Sequence, residues 1–400
     1  MGICQLCKQE TVTKILDFDL QPICNRFLTN RSEEEYRHPL IAGQCPACGL
    51  VQLIDPAPAS ELLPVHSWIT YNEPEDHLDD LARIITHLPN LSEHSSICGI
   101  SFKDDSTLER LEKLGLRNTR RLHPEKDLGI REPGAGIETI QDRLTPTVAA
   151  QIAREQGTSD VVIARHIVEH SMNLQDFMGA LGGLTHPLGH IVIEVPDCSR
   201  SLEKLDVTAL WEEHTCYFTP GTFRHMFACC GLALTRLDSY PYPFENSLVG
   251  IAHQERLGTN SSLPPDIVKA EKARARAYSQ GLAQRGRQLK KFLSDFRGNQ
   301  GKIALLGAGH LACAFINLFG LGDLIELVAD DNPHKQGLFM PGSKLPILSS
   351  AALLEHDIKL CLLSLNPLTE DRVIQRNRNF LERGGSFYSI FPNSRYAISI

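Results

Sequence analysis

The 400-residue sequence contains no apolar run approaching the ~20 residues that span a bilayer, which excludes a transmembrane helix. No apolar h-region follows Met1, so no secretory signal peptide is expected. The Met1-Gly2 start resembles a myristoylation signal, but Leu6 stands where that signal needs Ser or Thr. A basic excess is also missing. Forty Lys and Arg face 48 Asp and Glu, a formal charge of −8, which argues against nucleic acid as the main partner. Low-complexity tracts are absent. What is present is a globular balance, 42% hydrophobic and 22% charged, with length for two to three domains. A cytoplasmic location is expected.

Twelve cysteines are present, and four form two tight pairs. That usage fits a reducing compartment and one metal site better than a disulfide framework. Cys4-x-x-Cys7 and Cys45-x-x-Cys48, the latter followed by Gly49, form two knuckles. Two thiolates per knuckle converge on one ion, giving the closed tetrahedral arrangement of structural zinc. A redox pair or loose thiols are the alternatives, and two pairs this close favour zinc. The intervening stretch is expected to loop out through Pro22 and Pro39, with Cys24 a buried thiol.

Downstream, helices and strands alternate. The periodicity predicts helices over Glu75–Leu88, Ser106–Leu114, Thr147–Gln156 and Leu174–Leu184. It predicts strands over Ser96–Ile100, Asp160–Ala164 and His190–Val195, the last stopped by Pro196. Alternation across residues 90–255 indicates a doubly wound α/β domain. Gly258–Pro265 reads as a linker, and Asp266–Phe296 as a long basic helix with a solvated face rather than a nucleic-acid arm. A second α/β unit starts with the strand Lys302–Leu306, followed by strands Leu324–Ala329 and Lys359–Leu365. The expected fold class is α/β: a zinc module at 1–65, a central doubly wound domain at 66–257, linker and helix at 258–298, and a Rossmann-like domain at 299–400.

Three segments could carry chemistry. Gly307-x-Gly309-x-x-Ala312 follows a strand, opens a helix and has Asp330 about twenty residues on, the context of a nucleotide fingerprint. Its alternative is a glycine turn that only packs helix on strand. Arg165-His166-Ile-Val-Glu169-His170 follows a strand end, where doubly wound sheets bind ligands, and a histidine there can act as general base. A structural histidine is the competing reading. Trp211-Glu212-Glu213-His214-x-x-Tyr217-Phe218 has the composition of a pocket lining, or of surface charge beside a buried aromatic.

Together these pieces resemble the sugar-nucleotide C-methyltransferase family. The matching segments are Cys4–Cys48, Asp160–Pro196, Glu213–Phe218 and Gly307–Pro346, the last including Asp330-Asp-Asn-Pro-His-Lys335. The resemblance implies a structural zinc on Cys4, Cys7, Cys45 and Cys48, and a central class I fold using S-adenosylmethionine. It also implies a C-terminal Rossmann-like domain that helps hold a nucleotide sugar. In that family a histidine removes the proton beside a keto group, and the enolate carbon takes the cofactor's methyl group. His170 and His214 fall at the family's histidines, either of which would be the base. Glu213 would orient it, and Tyr71 falls near the substrate-facing tyrosines.

On the same resemblance, Gly99, Ser101, Asp104, Glu125 and His166 form the cofactor site. Trp211, Tyr217, Gly307, Gly309, His310, Asp330 and Lys335 form the substrate site. The family's cofactor loop reads close to Glu-Ile-Gly-x-Asn-Asp-Gly. Here it is Gly99-Ile-Ser101-Phe-Lys103-Asp104-Asp105, and His123-Pro124-Glu125 stands where an acid grips the ribose. Both loop glycines are replaced. Three readings follow: a methyltransferase of a nucleotide-linked keto sugar, a family member that binds the sugar without methylating it, or a nicotinamide-dependent oxidoreductase working through Gly307–Asp330. The oligomeric state is left open.

Overall fold

The computed structural model describes residues 2–9, 11–66, 69, 73–132, 136–254 and 263–399. Three sheets organise them. The first contains β1 (Thr13–Pro22), β2 (Arg37–Gln44) and β3 (Val51–Leu53), all antiparallel. The stretch between the knuckles is therefore a hairpin, not the expected loop through Pro22 and Pro39. Pro39 sits inside β2 at no ladder cost, because β3 pairs only with Ala42, Gly43 and Gln44 and leaves that side of Pro39 free.

The central sheet takes β4 (Ser96–Gly99), β5 (Asn118–Arg121), β6 (Ser159–Arg165) and β7 (Thr185–Asp197). A short β8 (Cys216–Tyr217) leaves this unit and completes the first sheet against β3. β9 (Leu232–Tyr240) and β10 (Asn246–Gln254) then finish the central sheet in the order β5-β4-β6-β7-β10-β9. β5, β4, β6 and β7 run parallel, and β10 is antiparallel to both its neighbours. This is the expected doubly wound fold of the class I methyltransferase type. The expected stop at Pro196 does not occur. Pairing with β6 ends at Arg165↔Glu194, so Pro196 faces a strand on one side only and β7 continues to Asp197.

Alternation explains why these segments are strands. In β6, Val161 and Ile163 pack under one helical layer while Val162 and Ala164 pack under the other. β7 and β10 divide in the same way, with Val192 and Ile251 on one face and Ile191 and Leu248 on the other. A strand buried on both faces must be apolar throughout.

The third sheet, β13-β12-β11-β14-β15, comprises β11 (Lys302–Leu306), β12 (Leu327–Ala329), β13 (Ile347–Leu348), β14 (Ile358–Leu363) and β15 (Ser386–Ser389), all parallel. The helix Pro265–Asn299 leads into it. Its buried Ala275, Tyr278, Leu282, Leu289, Leu293 and Phe296 keep the three- and four-residue spacing of one apolar stripe, and the basic residues face away. That stripe joins a core shared by the first sheet (Leu40, Val51), the segment Val207–Trp211 and the third sheet (Ile303, Leu360). No described helix is long and apolar enough to cross a membrane.

The knuckles belong to a different core, Cys4, Cys45 and Cys48 being part of the cluster on one face of the central sheet. The sulfurs of Cys4 and Cys48 lie 3.6 Å apart, as do those of Cys7 and Cys45, and all four fall within 4.8 Å of one another. Gly49 turns the second knuckle at φ +79°, and a Cβ there would strike Glu271 at 2.6 Å. The long helix therefore packs directly on the knuckle.

Candidate active site

A cavity of about 840 Å³ opens at the C-terminal ends of β4, β6 and β7. Sheet order reverses between β4 and β6, and crevices at such a switch point are where this architecture binds ligands. Phe102 and Lys103 follow β4, His166, Glu169 and His170 follow β6, and Pro196 and Cys198 belong to or follow β7. Asn25 and Arg26 come from the N-terminal module, and His310, Leu311, Asn366 and Leu368 close it from the C-terminal unit.

The floor is fixed by one carboxylate. Glu194 of β7 is fully buried and bonds Arg165 Nε and His166 Nε2, the latter at 3.0 Å, with His77 Nε2 close by at 3.2 Å. Burial alone would raise its pKa, but the charges of His166 and Arg165 hold it well below the usual range. His166 adopts the left-handed conformation at φ +47°, which turns its ring back onto Glu194. Burial would lower His166, yet Glu73 and Glu194 raise it to about 10. Glu73 is held at about 2, because His166 and Lys103 outweigh its burial. It pairs with Lys103 Nζ at 2.6 Å.

Above this floor stands the second chemical group. The His170 and His214 rings meet edge to face at 4.6 Å, and His214 is 4.9 Å from Trp211, which stacks on His310 at 4.3 Å. The segment carrying His214 is tied down on both sides. Glu212 accepts from the Cys24 amide and thiol at 2.6 and 3.3 Å, and Thr215 Oγ1 donates to Glu169 O and Ser171 O. Burial and then the charges on His170, His310 and His166 push His214 well below 6.5, so it is neutral. His170 goes the other way. Burial would lower it, but the Glu138 carboxylate 3.0 Å away and Glu169 raise it. Burial and neighbouring Glu138 and Glu212 raise Glu213 well above 4.5, while Asn25 Nδ2 donates to it at 2.8 Å.

The cavity thus gathers His170, Glu213, His214, His166, Trp211 and His310, all named from sequence. It does not gather the others. Tyr217 lies beneath it, its hydroxyl bonded to the Trp211 backbone, and Tyr71 falls outside the described residues. Asp104 points inward. It accepts from the amides of Ile100, Ser101 and Arg165, and burial raises it to about 7. Gly99 is required there because a Cβ would stand 2.9 Å from Asp104, and Ser101 caps the turn that follows. Glu125 is exposed on the helix Pro124–Leu128, away from the cavity. In the C-terminal unit, Asp330 accepts from Ala308 N at 2.8 Å and Lys335 Nζ at 3.1 Å, so both residues brace the Gly307–Gly309 turn themselves. Glu73 and Glu138 went unnoticed in the sequence because neither sits in a motif. Glu169 was visible inside the His166–His170 motif.

Comparison with known proteins agrees with this geometry. Three family profiles match in order: "Putative zinc binding domain" at residues 4–62, "Methyltransferase domain" at 95–237 and "C-methyltransferase C-terminal domain" at 268–392. The fold and these matches define an S-adenosylmethionine-dependent methyltransferase. The resemblance to the three-part C-methyltransferase family is borne out across the chain. The C-methyltransferase NovU of Streptomyces niveus is 23% identical over 406 residues, covering 98% of this chain and 96% of that one. Among solved structures, 1,6-didemethyltoxoflavin-N1-methyltransferase of Burkholderia thailandensis matches at 11% identity and a TM-score of 0.30, over 45% of this chain and 79% of that one. The CcbJ methyltransferase of Streptomyces caelestis matches at 11% and 0.29, over 48% of this chain and 100% of that one.

The His166 charge has a measurable consequence. Its folded pKa of about 10 lies above the ordinary 6.5, so its pairing stabilises fully below 6.5 and is lost as pH rises through 10. The melting temperature of the wild type is expected to fall more steeply between pH 7 and 10 than that of His166→Gln. Parallel curves for the two proteins would refute the assignment.

Proposed function

We propose that this protein is a C-methyltransferase of a nucleotide-linked keto-deoxysugar or a close relative of one, with His214 as the base. The observation that carries this reading is the placement of His214 inside a cavity at the strand ends, its ring 4.6 Å from His170, where burial pushes its pKa well below 6.5 and favours the neutral form. Of the two candidate bases, His214 is the one whose surroundings favour the neutral form that can take a proton, while Glu138 draws the proton affinity of His170 upward. His214 removes the hydrogen from the carbon next to the keto group. The His170 ring, 3.0 Å from Glu138, packs against His214, and the Trp211–His310 stack covers one side of the base. Proton removal at fixed geometry is most of what the reaction asks of the protein.

The cavity's charges suit S-adenosylmethionine at its amino-acid end. The Lys103–Glu73 pair, 2.6 Å apart, brings a cation and an anion to the cavity wall that match the cofactor's carboxylate and ammonium, and Glu169 Oε2 is buried without a hydrogen-bond partner among the described residues. When bound, that cofactor supplies the electrophilic methyl group, and Lys103, Glu73 and Glu169 would hold it. The cysteine tetrad fits structural zinc. Hydrogen bonds among the thiols bring Cys45 down to about 7 and Cys7 lower still, while Cys4 and Cys48 are pushed up. Four sulfurs within 4.8 Å of one another are completed by a cation that takes all four as thiolates. Twelve free cysteines suit a reducing compartment, the cytoplasm.

One observation favours the second reading, a sugar-nucleotide binder without methyl transfer. The amides of Ile100 and Ser101 are spent on Asp104, and Glu125 is too far out to grip a ribose. Calorimetry decides between the two. S-adenosylmethionine is expected to bind with micromolar affinity, and no heat alongside a bound nucleotide sugar would transfer support to the binder. His214→Gln is expected to lower kcat by about 10²–10⁴ with little change in KM. Unchanged turnover would show that another group is the base. Metal analysis is expected to find one zinc per chain, which a Cys4→Ser/Cys45→Ser double variant loses together with solubility. A soluble, native-like double variant would remove zinc's structural role.

A further inference from the structure

Beside His214 the cavity wall carries a cluster that proton abstraction does not use. Glu138 comes from the helix Ile137–Arg143, His170 from the turn after β6, and Glu213 from the segment before β8. Three distant parts of the chain thus bring one donor atom each to within 4.8 Å of the others. All three side chains are buried, at 4%, 6% and 6% exposure.

Two observations mark this as more than an acidic patch. His170 Nδ1 lies 3.0 Å from Glu138 Oε1, yet it has no hydrogen-bond partner, because the two atoms are close without being aligned. Donor atoms that converge without bonding to each other are what a missing ion leaves. In addition, no lysine or arginine among the described residues forms an ion pair with Glu138 or Glu213. A cation that binds both carboxyl groups takes the place of the proton that otherwise lets them lie side by side.

We infer that Glu138, His170 and Glu213 bind a divalent first-row cation, with its open positions facing the cavity. Two carboxylates and an imidazole are the mixed oxygen and nitrogen set that suits manganese or zinc. Three protein ligands leave coordination positions for substrate, as catalytic sites do and the closed cysteine tetrad does not. Its use rests on the reading given above. A cation there accepts the keto oxygen as a Lewis acid. When His214 takes the neighbouring carbon-bound proton, the released electron pair moves onto that oxygen and the metal holds the enolate charge. The base and the oxyanion holder then sit side by side, His214 against His170.

Manganese tests the site, because the hard ion competes poorly for the thiolates that keep zinc. Zinc-loaded protein, with neither cofactor nor sugar, is titrated with Mn2+ and free metal is followed by electron paramagnetic resonance. The wild type is expected to take up one Mn2+ per chain. Glu138→Gln and Glu213→Gln, checked for native melting, are each expected to weaken uptake by more than about tenfold. Uptake by neither wild type nor variants, or equal uptake by all three, overturns the site. Its role is read by solvent deuterium exchange into the keto-sugar nucleotide, followed by NMR. Zinc-loaded protein without added Mn2+ is expected to exchange at least about a hundredfold more slowly than the same protein with Mn2+. Equal rates with and without metal overturn the Lewis-acid role. Mn2+ uptake without exchange in any form overturns the keto-sugar reading and leaves the metal site standing.

Discussion

Every wall of the cavity is registered against one short segment, Trp211–Thr215. Glu212 locks it to the amide and thiol of Cys24 in the N-terminal module. Thr215 locks it to the backbone after β6 in the central sheet. Trp211 locks it to His310 at the start of a helix in the C-terminal unit. The three units therefore meet at His214, whose pKa burial pushes well below 6.5. A change in any of the three contacts would move the base relative to two other walls, which is why a buried carboxylate with an elevated proton affinity is tolerated at Glu212.

The second constraint is electrostatic. Burying Glu194 without partners would be prohibitive, and burying it against Arg165, His166 and His77 costs desolvation that the attractions repay only with good geometry. The return is positional. His166 must accept a strained left-handed backbone to reach Glu194, and that bend turns the following residues toward the cavity, ending at His170. The network shapes the loop more than it stabilises the fold.

Features governed by short-range spacing were legible in the sequence. The cysteine knuckles, the apolar runs of β6 and β7, and the long helix Pro265–Asn299 each follow from a local pattern. The Glu-His pair and His170 were legible through resemblance. What stayed hidden depends on long-range juxtaposition. Glu138 lies in a seven-residue helix with no signature, and Glu73 in an irregular segment, yet both face histidines far along the chain. Asp104 shows the converse. Its position in a cofactor-loop pattern suggested a ligand contact, but three inward backbone amides compete for its carboxylate and hold it. Asp330 and Lys335 were diverted in the same way, by the turn they follow. A motif names the residue type, and the nearest unsatisfied amide decides where it points.

The fourth strand of the first sheet, β8, is encoded far downstream of the other three. During synthesis on the ribosome the knuckles and β1–β3 emerge first, and their closing strand follows roughly 160 residues later, on the order of ten to thirty seconds at ordinary elongation rates. The helix that packs on Gly49 comes later still. The amino-terminal module must therefore wait half-finished with an open edge, and its maturation is coupled to completion of the central sheet. A nascent chain halted before Cys216 would carry that unpaired edge into the cell, a natural substrate for chaperones.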